Sequence, residues 1–184
     1  MSKIWLSSDL HFGHSKEFLW GPRGYSSSRE HDIEVIRNWN SVVAEDDDVY
    51  VLGDLMLEDN AYGLECLRQL NGRLHLVRGN HDSDYRWAHI YPAAANIVEF
   101  CGWATVIKYR KIHFHLSHWP TATANYDDNK GLWAKLVSLS GHTHKQEKFH
   151  DGDIMKYNVA LDAHGNYPVL LDDIIEDIKE NLPM

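Results

Sequence analysis

Three times in the first half of this chain an apolar strand pattern runs into a short loop of Asp, Asn and His, with a helical pattern between successive occurrences. Lys3 to Ser8 delivers Asp9 and His11, Asp48 to Leu52 closes on Gly53-Asp54, and Arg73 to Arg78 closes on Gly79-Asn80-His81-Asp82. Between them, Ile33, Ile36 and Val43, with Trp39 among them, recur at helical steps over Arg29 to Val43. Leu64, Leu67 and Leu70 do the same over Ala61 to Leu70, with Asn71-Gly72 as the stop. Strand and helix in alternation build a parallel sheet, and a parallel sheet gathers the loops after its strands on one edge. The three polar loops are therefore expected to meet.

From Ile97 the texture changes. Ile97 to Cys101, Trp103 to Tyr109 and Ile112 to Leu116 follow closely with short polar breaks, which predicts hairpins in a second, more antiparallel sheet, Lys108 to Lys111 forming one turn. Strands at Leu136 to Leu139, Met155 to Leu161 and Pro168 to Leu171 precede an amphipathic helix over Asp172 to Glu180. No repeat or linker interrupts the 184 residues, so one domain over 1–184 is expected, and 43% hydrophobic residues suffice for its core. A net charge of −9 provides no basic stripe for long, non-specific nucleic acid. No apolar run approaches the ~18 residues of a membrane span, and Asp9 falls inside any signal-peptide core, so a cytoplasmic protein is expected. The two cysteines, Cys66 and Cys101, lack C-x-x-C spacing and read as small core residues.

Thirteen histidines are the unusual feature, and their placement carries the chemistry. Gly79-Asn80-His81-Asp82 and Gly141-His142-Thr143-His144 each stand where a strand ends, and a tetrapeptide like the first arises by chance roughly once in 200 such chains. With Asp9-x-His11, Gly53-Asp54 and Ser117-His118, five strand ends each offer an oxygen or imidazole ligand. This ordered set resembles the calcineurin-like metallophosphoesterases over nearly the whole chain. Ser8-Asp9-Leu10-His11-Phe12-Gly13-His14, Asn38-Trp39-Asn40 and Asn158-Val159 with Asp162 resemble its small phage and bacterial branch.

The resemblance implies an α/β fold of four αββα layers, two mixed sheets flanked by helices, with two divalent metals at the sheet edges. It implies Asp9, His11 and His144 on one metal, Asn80, His118 and His142 on the other, and Asp54 bridging both. Mixed oxygen and imidazole ligands without thiolate suit Mn, Fe, Zn, Co or Ni, with manganese favoured. Two ions ~3.5–4 Å apart acidify a shared water, and the hydroxide so activated attacks phosphorus in line. Two dications less the charges of Asp9 and Asp54 leave an excess that one hydroxide and one phosphodiester anion would balance, which favours diesters over monoester dianions. The resemblance also places His81 beside the phosphate as general acid, with Asp82 orienting it.

Other residues have weaker claims. His14 would touch substrate or support a ligand from behind. Arg23, in the Gly- and Ser-rich run Gly21 to Ser28, would bind a phosphate oxygen or lie in a solvated loop. Trp119, directly after His118, would wall the pocket or stack on a base. Trp5, Trp39 and Trp103 are expected in the core, and Glu45 to Asp48 as a solvated connection. The expected activity is hydrolysis of a phosphodiester, and of monoesters as well, on a small or nucleotide-like substrate. The rivals are a monoesterase or nuclease at the same site and a non-catalytic scaffold like the retromer subunit that resembles these enzymes. Degenerate ligands would mark the scaffold, and here every ligand position is filled.

Overall fold

The computed structural model describes residues 2–121 and 131–182. One sheet holds β1 (Ile4–Ser7), β2 (Asp48–Leu52), β3 (Arg73–Val77), β4 (Ile97–Phe100) and β9 (Val169–Leu170), in the order β4-β3-β2-β1-β9. β1 to β4 run parallel and β9 is antiparallel to β1. The second sheet has the order β5-β6-β7-β8, from β5 (Ala104–Tyr109), β6 (Ile112–Ser117), β7 (Leu136–Ser140) and β8 (Lys156–Asn158). The β5–β6 pair is antiparallel, and its turn places Arg110 and Lys111 at φ 46° and 71°, the left-handed geometry of a tight hairpin. The other pairs are parallel. The architecture is the expected α/β one, two mixed sheets flanked by helices.

Alternation along the strands sorts side chains into two cores. Trp5, Val49, Val51, Leu74 and Leu76 face α2 (Ser28–Val42) and α3 (Asn60–Arg68), meeting Val35, Trp39 and Leu67. Leu6, Leu52 and Val77 face the second sheet and pack with Phe114, Leu116, Val137, Leu139 and Tyr157, joined by Ile174, Ile175 and Ile178 of α4 (Leu171–Asn181). The helices start where the sequence provides caps: the Ser27 hydroxyl accepts from Glu30 N–H, and Asp59 accepts from Ala61 and Tyr62. Asn38-Trp39-Asn40 stitches α2 to the end of α3, since Trp39 Nε1 donates to Asn71 O at 2.9 Å and Asn40 exchanges bonds with Gln69 O and Asn71 N–H. Among the described residues no helix is long and apolar enough to cross a membrane.

Three expectations are corrected. Ile97–Phe100 does not join the second sheet but extends the first, parallel to β3, because the helical turns over 86–93 carry the chain back across that sheet. Trp103 is 53% exposed, outside either core, whereas Trp5 and Trp39 are buried as expected. Within Glu45 to Asp48, Asp47 is not solvated: it is buried and accepts from Lys3 N–H at 2.7 Å, the Trp5 indole at 2.9 Å and Ala44 N–H at 3.1 Å. That carboxylate ties the end of α2 to the start of β1.

Burial of Asp47 favours the neutral acid, but these donors outweigh it and hold its carboxyl below the ordinary value. A depressed carboxyl contributes stability that is present above its unfolded value and lost as pH falls through the folded one. Asp47→Ala should therefore cost about 1–3 kcal/mol at neutral pH, with the gap to wild type narrowing as pH drops below the usual carboxylate range. Urea melts of both proteins across that pH range check the sign.

Candidate metal centre

The loops after β1, β2, β3, β6 and β7 converge between the two sheets. Backbone bonds from Asp9 N–H to Gly53 O (3.1 Å) and His11 N–H to Asp54 O (2.9 Å) knit the first two loops together. The second sheet docks through polar bonds: His142 N–H donates to Asp9 Oδ2 at 2.8 Å, and His118 Nδ1 donates to Leu52 O at 2.8 Å. All seven expected ligands reach this seam. Asp9 Oδ1 lies 3.7 Å from Nε2 of both His11 and His144. Asp54 Oδ2 lies 3.6 Å from His11 Nε2 and 3.5 Å from His118 Nε2. His118 Nε2 stands 2.9 Å from Asn80 Oδ1 and 3.0 Å from His142 Nδ1.

This convergence is costly for the backbone. Asp9, His11, Asp54, His142 and His144 all have φ between 50° and 70°, a left-handed conformation that costs a non-glycine residue roughly 1–2 kcal/mol. Close approach makes two glycines obligatory. A Cβ on Gly79 would lie 2.2 Å from Asp54 Oδ1, and one on Gly141 would lie 2.2 Å from Asp9 Oδ2.

The donor set fits metal cations. With Nδ1 of His118 donating to Leu52, its Nε2 presents a lone pair toward the acceptor oxygens of Asn80 and Asp54, an arrangement that calls for a cation between them. Asp9 Oδ1 and both ring nitrogens of His11 are buried with no hydrogen-bond partner among the described residues. Asp9, His11 and His144 place ligand atoms within 4.8 Å of one another, and so do Asp9, Asp54 and His118. Burial resists ionisation of Asp9, but His11, with His118 and His144 beyond it, holds that carboxyl well below the usual range. Burial pushes Asp54 the other way, above its ordinary value, with Asp9 adding to the rise against the pull of His118. Burial also lowers His11 to about 4, against the attraction of Asp9, so its ring is a neutral donor at neutral pH.

Two expected roles are revised. Asp82 does not orient the His81 ring: its oxygens accept from Asp54 N–H (2.9 Å), Gly79 N–H (2.8 Å), Leu55 N–H (3.2 Å) and Tyr91 OH (2.6 Å). It clamps the loops that carry Asp54 and Asn80. Arg23 does not lie in a solvated loop, and its hydrogen-bonding capacity is taken up inside the protein. Its guanidinium, 2% exposed, pairs with both oxygens of Asp162 at 3.0 and 2.7 Å, donates to Asp9 O at 2.9 Å and lies 2.9 Å from His31 Nε2. Asp162 in turn is 3.2 Å from His144 Nδ1, which turns His144 Nε2 toward Asp9. Burial alone would lower His144, yet Asp162 and Asp9 raise it.

His81 stands at the mouth, 46% exposed, its Nε2 3.9 Å from Asp54 Oδ2, its N–H on Asp54 Oδ1 and its carbonyl on Arg86. His14 lies 5.8 Å from the His11 ring, with Nδ1 accepting from Lys16 N–H, and lines the same cleft of about 260 Å³. Trp119 packs edge-on to His118 at 5.3 Å. Tyr91, His31 and the pairing of Arg23 with Asp162 went unseen in the sequence, and Tyr91 has no local signal there. Asn158 of the Asn158-Val159 motif holds the loop of His142 and His144, donating to Lys145 O and Glu147 O.

Carboxylates and imidazoles converging at the joined edges of two α/β sheets define a metal-dependent hydrolase. A family model described as the calcineurin-like phosphoesterase superfamily domain matches residues 3–160, and the chain belongs to that family of metal-dependent phosphoesterases. It is 32% identical over 188 residues to an uncharacterized protein of Methanocaldococcus jannaschii, covering 98% of this chain and 93% of that one. It is 30% identical over 189 residues to the Gene 66 protein of Mycobacterium phage L5, covering 90% and 89%. A protein of unknown function from Aquifex aeolicus superposes with a TM-score of 0.72 at 20% identity, over 96% of this chain and 99% of that one, and shares the fold.

Two substitutions separate clamp from cradle. Tyr91→Phe removes one of four donors to Asp82 and should cost about 1–2 kcal/mol in a urea melt while the protein still binds metal. Gly141→Ala forces the Asp9 carboxylate aside, and elemental analysis after gel filtration should show depleted metal.

Proposed function

We propose that this chain hydrolyses phosphodiesters, and monoesters less readily, at a pair of divalent cations held between its sheets, with the whole chain acting as one catalytic domain. The observation that carries the reading is the position of Asp54 Oδ2, 3.6 Å from His11 Nε2 and 3.5 Å from His118 Nε2, between two groups of ligands. Asp9, His11 and His144 would hold one cation, Asn80, His118 and His142 the other, and Asp54 both; manganese is favoured among Mn, Fe, Zn, Co and Ni. Such ions supply Lewis acidity toward phosphoryl oxygens and make water nucleophilic near neutral pH.

The chain's own groups do the rest. Asp9 and Asp54 offset part of the cations' charge, and the excess suits an ester monoanion. His81, half-exposed with its backbone pinned on both sides, holds a proton at Nε2 where the leaving oxygen departs. His14 faces the cleft and contacts substrate. Arg23 and Asp162 keep His144 turned inward rather than binding phosphate. Arg78 and Arg86 also lie close to the site, but both donate to Asp82, Asp84, Asn60 or His81, which supports a small substrate over a polymer.

A panel of metals crossed with bis-p-nitrophenyl phosphate, p-nitrophenyl phosphate, cyclic nucleotides and single-stranded DNA tests the assignment; hydrolysis of the diester fastest is expected, and a metal-loaded protein inert to every ester would revive the scaffold. Asp54→Ala should lose both metal equivalents and His11→Ala mainly one. Chelation should lower the melting temperature, because ligands that bind only the folded state stabilise it. His81→Ala should lose roughly 10²–10⁴ in kcat on a nucleotide diester, whose leaving oxygen needs a proton, and far less on p-nitrophenyl esters. Equal losses on both would assign His81 to phosphate binding instead.

A further inference from the structure

Positions 31 and 32 of α2 lie on the same buried stripe as Val35 and Trp39, where an apolar pair would pack without cost, yet they hold His31 and Asp32. Neither belongs to a ligand motif. His31 Nδ1 lies 2.8 Å from Asp32 Oδ1, and its Nε2 lies 2.9 Å from Arg23 Nη1. Arginine only donates, so Nε2 accepts and the ring proton sits on Nδ1, facing Asp32. Burial lowers His31, and the Arg23 charge adds to the fall against the pull of Asp32, which keeps the ring neutral. Arg23 follows the short helix α1 (Glu17–Trp20), and its carbonyl accepts from Asn166 Nδ2 at 3.1 Å.

From this pair the bonds lead to one group of ligands. Arg23 Nη2 donates to Asp9 O at 2.9 Å, and its Nε and Nη2 pair with Asp162, which faces His144 Nδ1 at 3.2 Å. Asp32 Oδ2 accepts from Gly13 N–H at 3.0 Å, inside the turn that His14 N–H closes on His11 O at 3.1 Å. Asp9, His11 and His144 are thus all backed by one buried network of two carboxylates, a guanidinium and an imidazole. The other group is backed differently. Among the described residues the His118 ring rests on a neutral carbonyl, Leu52 O, and Asp82, behind Gly79 and Asp54, bonds to none of the four network residues. His142 meets the first group through its backbone N–H on Asp9 Oδ2.

We infer that Arg23, His31, Asp32 and Asp162 are positioning residues for one of the two cations, the one that Asp9, His11 and His144 would hold, so that the two positions keep their ions unequally. The inference rests on the two-cation reading and goes beyond it by tying one position to the first turns of α2. Partners behind a ligand fix its orientation and raise its basicity. Two carboxylates against one guanidinium also leave an excess of negative charge behind these three ligands, which favours a cation in front of them. The guanidinium fork bonds Asp9, Asp162 and His31 at once, which an ammonium on a flexible stem cannot reproduce.

Protein loaded with Mn²⁺ and dialysed against rising chelator, followed by elemental analysis, reads how firmly each ion is kept. Two equivalents are expected in wild type. Arg23→Lys keeps the charge and loses the fork, and it should release one equivalent at about 10–100-fold lower chelator while the other shifts less than about twofold. His31→Leu should shift the same equivalent, and His31→Gln, which returns an oxygen to Arg23, should restore part of the loss. Single-ion backgrounds assign the position. With His142→Ala, which leaves the Asp9 group complete, Arg23→Lys should weaken retention by the same factor; with His11→Ala it should have little effect. Equal weakening of both equivalents, no weakening of either, or an effect as large with His11→Ala as with His142→Ala would overturn the inference, because a network that merely holds the fold loosens both positions alike. Should Arg23→Lys fail to fold in a urea melt, Asp162→Asn, which keeps the shape of Asp162 and an oxygen for His144, carries the same test. A single equivalent in wild type would overturn the two-cation reading itself, whereas two equivalents that move together would overturn only their inequality.

Discussion

The structure depends on holding two carboxylates, Asp9 and Asp54, and a set of imidazoles in a dry seam with their lone pairs facing one another. Like-charged and acceptor-only groups do not gather so unless something imposes it. The opposed shifts of Asp9 and Asp54, one carboxyl held low and its neighbour pushed high, are the electrostatic mark of that crowding. Cations would relieve it, so the groups that crowd the fold are the ones suited to hold metal, and stability and metal binding would share one site.

The imposition comes from the backbone and from polar groups buried behind the ligands. Left-handed φ at five ligand residues swings each side chain back toward the seam, and glycine at positions 79 and 141 admits the carboxylates to van der Waals distance of the chain. Asp82 clamps the loops of Asp54 and Asn80, Asn158 ties down the loop of His142 and His144, and Arg23 with Asp162 fixes the His144 ring. Tyr91, from the helical passage that returns the chain to β4, adds the fourth donor to the Asp82 clamp.

What could be read from the chain follows from this division. The convergence of candidate ligands at strand ends was legible because period and punctuation locate strand ends, and Asp, Asn and His there are chemically conspicuous. The groups behind them were not. Asp82 and Arg23 look like functional side chains in sequence, and only burial shows that their hydrogen-bonding capacity is consumed inside. Asp47 sits in an acidic run that reads as solvated, yet folding brings two donors from the β1 segment to it, beside the local Ala44 N–H. Ile97–Phe100 joins the first sheet and not the second because local pattern identifies a strand but not its partner, and the partner here is set by the crossover before it.

The exposed aromatic residues beside the seam are different from those that build it. Phe18 and Trp103 stand outside every ligand motif, and Trp119 touches ligand rings only by ring contact. Phe18 and Trp103 are exposed, so little packing energy constrains what stands at those positions, whereas five of the seven expected ligands hold left-handed φ and buried bonds from His118 and His142 join the two sheets. What stands at Phe18 or Trp103 can therefore change without disturbing the buried bonds that set the geometry around Asp54. The seam is thus determined by folding, while the exposed residues around it are free to vary.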